Sequence, residues 1–225
     1  MPTRERSRSR ARRASREARE AHIVDATRAL FDERGVQDAP IDDIARAVGI
    51  NKALIYRHFA SKDELFVLTM TRYLAELAER VATELDDADA PRRQLERAIG
   101  EYTAFCLQYP AFLDCALSLM RQPAEELRDR VSEAVWLRLG RGMGTLLGGL
   151  SDILARGAAT GQFAVTDPDF TANHLYAQAL GTMHLARTGV GVRVPASGIP
   201  EMFSLDPEDV RRAAVADALA TVTPT

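Results

Sequence analysis

The side chains of this chain best placed to act chemically lie close together: Asn51, Lys52, Ala53, Leu54, Tyr56, His58 and Lys62, just after Gly49. Lys52 can reach a guanine edge or a phosphate, the small Ala53 permits close approach, and Leu54 can meet a thymine methyl or pack inward. Tyr56 and His58 carry polar tips suited to phosphate oxygens. This is the chemistry of recognition, not of bond making. Nowhere does the sequence combine a nucleophile with a paired base, a metal quartet or a phosphate loop, so no enzyme, cofactor or metal is expected.

Such a set works only if a helix presents it. Ile41, Ile44, Ala45 and Val48 fall on one helical face, and Gly49 stands where that helix would stop. Asn51 can cap the next helix, whose Leu54, Ile55 and Phe59 can pack inward while Lys52, Ala53, Tyr56 and His58 stay available. Two short helices joined by a tight glycine turn describe a helix-turn-helix, whose second helix enters the major groove. Upstream, 14–34 reads as a first helix with Ile23, Ala26, Thr27, Leu30 and Phe31 inward and Gly35 at its end. Ser61 and Glu64 form a capping box for a fourth helix running to about Leu85.

The wording of 41–66, IDDIARAVGINKALIYRHFASKDELF, resembles the DNA-binding domain of TetR-family transcriptional repressors. The resemblance covers roughly the first third of the chain and thins beyond about residue 85 to a general layout. It implies phosphate contacts from Tyr56, His58 and Lys62, a homodimer on palindromic operator DNA, and a helical region that binds a variable small molecule. It also implies that the last two long helices, 167–187 and 207–222, pair with their mates as a four-helix bundle. Phe170, His174, Ala177, Gly181 and Met183 on the first, and Val210, Ala213, Ala214, Asp217 and Leu219 on the second, would make the contacts. One departure stands out: Ala39-Pro40 replaces the usual Thr-Thr before the second helix, removing hydroxyls that could cap it or touch a phosphate. Asp38 is left as the candidate cap.

Charge distribution agrees with a nucleic-acid partner. The net charge of −3 conceals 14 Lys/Arg against 11 Asp/Glu in residues 1–66, with most of the excess in the Arg- and Ser-rich first 19. That run reads as a solvated, disordered arm able to order on DNA by neutralising phosphates or entering the minor groove. It has no apolar core and is not a secretory signal. No apolar stretch approaches the roughly 20 residues of a membrane span, so a cytoplasmic protein without membrane partners is expected. Cys106 and Cys115 give no disulfide framework.

The remainder reads as helices at about 91–108, 110–120, 124–156, 167–188 and 207–222, broken at Pro110, Pro123, Gly161, Asp167-Pro168 and Asp206-Pro207. The fold class is therefore all-α: an N-terminal three-helix DNA-binding domain over 20–66 after the arm at 1–19, then a larger ligand-binding and dimerisation domain over 67–225. Candidate ligand contacts are Tyr102, Phe105, Cys106, Phe112, Leu119, Trp136, Met143, His174, Gln178 and His184, residue types that suit an apolar pocket with a few polar tips and equally suit any helical core. Gly140, Gly144 and Gly148 line one helical face, favouring close helix packing. The stretch 190–205 reads as a long connecting loop or flap. Together these features describe a dimeric repressor released by a small, apolar or aromatic effector, or alternatively a constitutive DNA-binding protein with a filled core.

Overall fold

The computed structural model describes residues 2–36 and 39–224, with side chains described for Arg10, 12–36 and 39–224. Among these residues ten helices form, in the order α1 (Pro2–Arg34), α2 (Ile41–Val48), α3 (Lys52–His58), α4 (Lys62–Glu84), α5 (Pro91–Gln108), α6 (Pro110–Met120), α7 (Ala124–Arg130), α8 (Glu133–Ala159), α9 (Pro168–Thr188) and α10 (Pro207–Val222). The chain separates into two compact units: residues up to Arg72 with Ser118–Leu139, and Tyr73–Leu117 with Gly140–Thr225. The expected boundary at residue 66 thus lies within the first unit, which also recruits α7 from far along the chain. Among the described residues no single helix is long and apolar enough to cross a membrane.

In the first unit, Ile23, Leu30 and Phe31 of α1, Ile41, Ile44 and Ala45 of α2, and Ile55 and Phe59 around α3 are all buried. Their spacing follows the helical period, so each short helix offers one apolar edge to a shared core. Helices of seven or eight residues are marginal in water by themselves, and this burial is what holds α2 and α3 together.

Helix α1 begins at Pro2, well before the expected start near Ala14, so the basic run is helical where an arm was expected. Arg, Ala and Glu favour helix, and Arg13–Glu17 at 2.8 Å and Arg16–Glu20 at 2.7 Å add pairs one turn apart. At the start of α2, Pro40 is the N-cap and makes no side-chain capping bond; the candidate cap Asp38 lies outside the described residues.

The capping box at α4 is present and does more than cap. Ser61 Oγ accepts from the Glu64 N–H at 3.0 Å and donates to the Arg130 carbonyl at 2.9 Å. Glu64, only 5% exposed, accepts from the Ala60 N–H at 2.5 Å, from the Ser132 N–H at 3.3 Å and from the Ser132 hydroxyl. The helix expected at 124–156 is broken there into α7 and α8: Val131 is extended at φ −124°, ψ 156°. Binding Glu64 turns Ser132 out of a continuous helix and makes it the start of α8, whose Trp136 N–H bonds the Ser132 carbonyl at 2.9 Å.

The second unit packs α5, α9 and α10 with parts of α4 and α8. Leu95, Ile99, Ile153, Leu154, Phe163, Leu175 and Val222 form its core. Gly157 is required there, because a Cβ would lie 1.9 Å from the Phe163 ring. Gly140, Gly144 and Gly148 do not pack closely: a Cβ at each meets nothing within 4 Å. The stretch expected as a loop pairs instead as an antiparallel hairpin, β1 (Val190–Arg193) with β2 (Glu201–Ser204). Gly191 sits opposite Phe203, whose ring covers it at a distance that leaves no room for a Cβ, and Arg193 pairs with Glu201 at 3.2 Å. A strand of four residues is too short to register as an alternating pattern.

Removing the Glu64 carboxylate leaves the Ala60 and Ser132 donors unpaired in a buried place. Glu64→Ala is expected to lower unfolding stability by about 2 kcal/mol, with Glu64→Gln losing less, as measured by urea denaturation. An unchanged midpoint in the alanine variant would remove this carboxylate from the account of the first unit.

Candidate nucleic-acid interface and helical cavity

Two local devices fix the angle between α2 and α3. Gly49 adopts φ 69°, ψ 30°, the left-handed region that favours glycine, and the Ile50 N–H returns to the Ala45 carbonyl at 2.9 Å. Asn51 then caps α3, its Oδ1 accepting from the Leu54 N–H at 2.9 Å. Ile55 and Phe59 are buried, so the opposite face of α3 is left to solvent.

That face carries Lys52, Ala53 and Arg57, all exposed, and Tyr56 at 46% exposure. Leu54 is half-buried at its edge, and Lys62 is exposed at the first turn of α4. Lys52 Nζ lies 3.2 Å from Asp42 Oδ2, an exposed pair that a phosphate could compete for. His58 differs from the others. Its side chain is 12% exposed, with Nδ1 3.5 Å from Glu20 Oε1, so it braces α3 against α1 more than it faces outward. Two residues went unread in the sequence: Arg57, a plain cation on the displayed face, and Glu20, whose link to His58 spans α1 and α3. Helical spacing from Ala53 could have revealed Arg57; nothing local could have revealed Glu20.

The candidate ligand contacts scatter. A cavity of about 160 Å³ lies in the second unit, lined by Val81, Leu85, Ile99, Leu150, Ile153 and Leu175 together with Tyr102 and Tyr176. Of the candidates, Tyr102 alone lines it. Phe105, Cys106 and Phe112 are buried in a cluster of rings, with Phe105 and Phe112 5.1 Å apart. Leu119 and Trp136 belong to the first unit, Met143 is half-buried outside the lining, and His174 and His184 are exposed. Gln178 accepts from the Thr221 hydroxyl at 3.4 Å. The cavity wall uses small and aliphatic residues such as Ala78 and Ala179, which look like ordinary core in sequence.

Among the described residues no group of three metal-ligating side chains converges. Cys106 is buried, which pushes its thiol up to about 12 against an ordinary 9.0, the Tyr102 side chain opposing this weakly. The thiolate needed for redox chemistry is therefore absent near neutral pH. The unfolded thiol ionises first, so this burial leaves stability intact below pH 9.0 and removes it as pH climbs toward about 12.

A capped α3 set across a left-handed glycine from α2, both resting on α1, is the helix-turn-helix of a DNA-binding head. Residues 23–68 match the model of the tetR family of bacterial regulatory proteins. The match is confined to this head, from Ile23 in α1 to Leu68 in α4, and there the chain resembles that family. It is 30% identical over 96 residues to the HTH-type transcriptional activator FasR of Mycolicibacterium smegmatis, covering 43% of this chain and 44% of that protein. It is 39% identical over 82 residues to the HTH-type transcriptional regulator BetI of Stenotrophomonas maltophilia, covering 36% and 41%. These alignments thus span less than half the length of the curated relatives. The fold extends further. The TetR-family regulator PfmR of Thermus thermophilus aligns over 88% of this chain and 97% of its own, with a TM-score of 0.60 at 23% identity. RolR, solved in complex with resorcinol, aligns over 94% and 91%, with a TM-score of 0.68 at 16% identity.

Loss of the α3 cap is expected to cost about 1 kcal/mol in Asn51→Ala, read as a lowered denaturation midpoint. Cys106 is expected to resist iodoacetamide near neutral pH in the folded protein and to react fully once denatured; equal rates in both states would contradict its burial.

Proposed function

We propose that this protein is a dimeric, effector-responsive transcriptional regulator, most simply a repressor, acting in the cytoplasm on a palindromic operator. The observation that carries the reading is the displayed face of α3, where Lys52, Ala53 and Tyr56 stand out from a helix whose other side is buried. In this reading Lys52 contacts a guanine or phosphate, Ala53 allows the helix to sit close, and Leu54 meets an apolar base edge. Tyr56 and Lys62 bind flanking phosphates, while Asn51 and His58 hold α3 in position.

One such head reads too few base pairs for useful specificity, and a two-fold dimer placing two recognition helices about 34–36 Å apart solves this. An unpaired face of α9 supports the dimer: Phe170 is 68% exposed, Leu185 is 48% exposed, and His174, Gly181 and His184 lie exposed along the same side. Met183, first assigned to that contact, is fully buried and faces the core instead. On α10 the exposed Ala213, Ala216 and Ala220 allow close approach, while Val210 and Ala214 turn inward.

The cavity of about 160 Å³ favours an effector over a constitutive protein with a filled core. RolR, similar in fold, is known in complex with resorcinol, a small aromatic molecule. An effector here would act by preferring a conformation in which the two heads are wrongly spaced, shifting the population off DNA by no more than its differential affinity. Helix α4 carries residues of both compact units and is the natural element to transmit that preference.

The test is capture of fragmented genomic DNA at roughly 0.15 M salt, followed by sequencing. A few fragments sharing a palindrome are expected, whereas diffuse retention lost as salt rises would reduce the activity to counterion release. On the recovered operator, Lys52→Ala is expected to weaken binding by about 1–3 kcal/mol, with Tyr56→Phe weaker in effect. Full affinity in both variants, with folding intact, would displace α3 from the recognition role.

A further inference from the structure

The wall of the cavity in the second unit is almost wholly hydrocarbon, and none of the described residues lining it is charged. Its polar atoms are few. Thr145 Oγ already donates to the Arg141 carbonyl at 3.0 Å. Tyr102 is different: the residue is 5% exposed, and its buried Oη makes no hydrogen bond of normal geometry, having only the Cys106 thiol, a weak acceptor, beside it. A sulfur is a poor substitute for an oxygen acceptor, so a better partner is to be sought in whatever fills the space beside it. The ring is held by its neighbours, edge-on to Tyr176 at 6.0 Å and to Phe112 at 6.1 Å, so the hydroxyl is aimed by packing and needs no bond to set its direction.

We infer that this cavity takes an uncharged, single-ring molecule bearing one acceptor oxygen, which Tyr102 Oη grips with a donated hydrogen bond. The inference rests on reading the cavity as the effector site and adds the chemistry of the occupant. Size sets the ring count: an apolar cavity of about 150 Å³ admits benzene, so about 160 Å³ suits one ring with a small substituent. The wall sets the charge. A carboxylate or ammonium would be stripped of water with no counter-charge to meet it. The phenol sets the oxygen. Burial raises both Tyr102 and Tyr176 above the ordinary phenol range, so both hydroxyls stay protonated and Tyr102 remains a donor. The exposed Ala82, Thr145 and Gly149 in the lining place the cavity within reach of solvent, giving a route in.

The test uses the full chain without DNA and three probes of similar size: acetophenone, ethylbenzene and benzoate, titrated by calorimetry into the wild type and Tyr102→Phe. The variant removes a hydroxyl that makes no hydrogen bond of normal geometry in the protein, so it should fold, which circular dichroism checks. Acetophenone is expected to bind the wild type about tenfold more tightly than ethylbenzene, to lose that advantage in Tyr102→Phe, and to leave benzoate far behind. The carbonyl stretch of bound acetophenone should lie lower in the wild type than in the variant. An equal affinity for acetophenone and ethylbenzene, or an advantage that survives in Tyr102→Phe, overturns the hydrogen bond while leaving the cavity as an effector site. Benzoate binding more tightly than the ketone, or no binding of either neutral ring, overturns the ligand class. Operator capture is measured separately, so its failure would strike the regulator reading and not this one.

Discussion

Burying a carboxylate is costly unless its lone pairs are filled, and Glu64 sits almost fully buried at the first turn of α4. It is tolerated because three donors converge on it: the Ala60 N–H just before the helix, and the N–H and hydroxyl of Ser132. Ser61 closes the arrangement from the other side through the Arg130 carbonyl. One carboxylate therefore caps a helix, breaks the chain between α7 and α8, and binds a segment 68 residues away into the same unit as the DNA-binding head. The end of α3 and the start of α4 are separated only by Phe59, Ala60 and Ser61, so the displayed helix inherits its footing from this contact.

Above that footing the head is organised by local chemistry. Glycine at φ 69° turns the chain, an asparagine side chain starts the next helix, and apolar residues one turn apart bury one side of it. What remains outward is basic and aromatic. The surrounding acids temper it: Asp42 pairs with Lys52, and Asp43 accepts from Arg34 at 3.0 Å and Arg46 at 2.7 Å. Exposed pairs of this kind contribute little to stability and exchange readily for phosphate, so they limit non-specific attraction more than they hold the fold.

The second unit is built by different means. Small residues let helices approach, as where Gly157 receives the Phe163 ring, and aromatic rings fill the space between α4, α5 and α6. Aliphatic side chains from α4, α5, α8 and α9 then stop short of filling one volume, whose lining also includes Tyr102 and Tyr176. On the effector reading proposed above, a hydrocarbon wall with one donor would select by shape and by one bond. That combination suits a sensor whose occupant must come and go, because neither charge pairing nor a network of bonds has to be broken on release.

How much of this was legible in the sequence follows the range of the interactions involved. Asn51, Gly49, Ser61 and Glu64 act on neighbours within a few residues, so caps, turn and the faces of α2 and α3 could be read directly, as could nearly every later helix at its proline or aspartate start. The break at Val131–Ser132 could not, because its cause is Glu64, remote in sequence. The hairpin at 190–204 was missed because its strands are short and its pairing is cross-strand. His58 was read as outward until Glu20 stood beside it, and the cavity lining was misjudged because aliphatic and small residues carry no local mark of whether they meet a neighbour or a void. The sequence by itself determined the helical class and which face of α3 is left exposed, since periodicity and capping are properties of adjacent residues. Tertiary structure alone decided the shared buried carboxylate and the unfilled volume, since both depend on which distant side chains arrive at one point and which fall short of it.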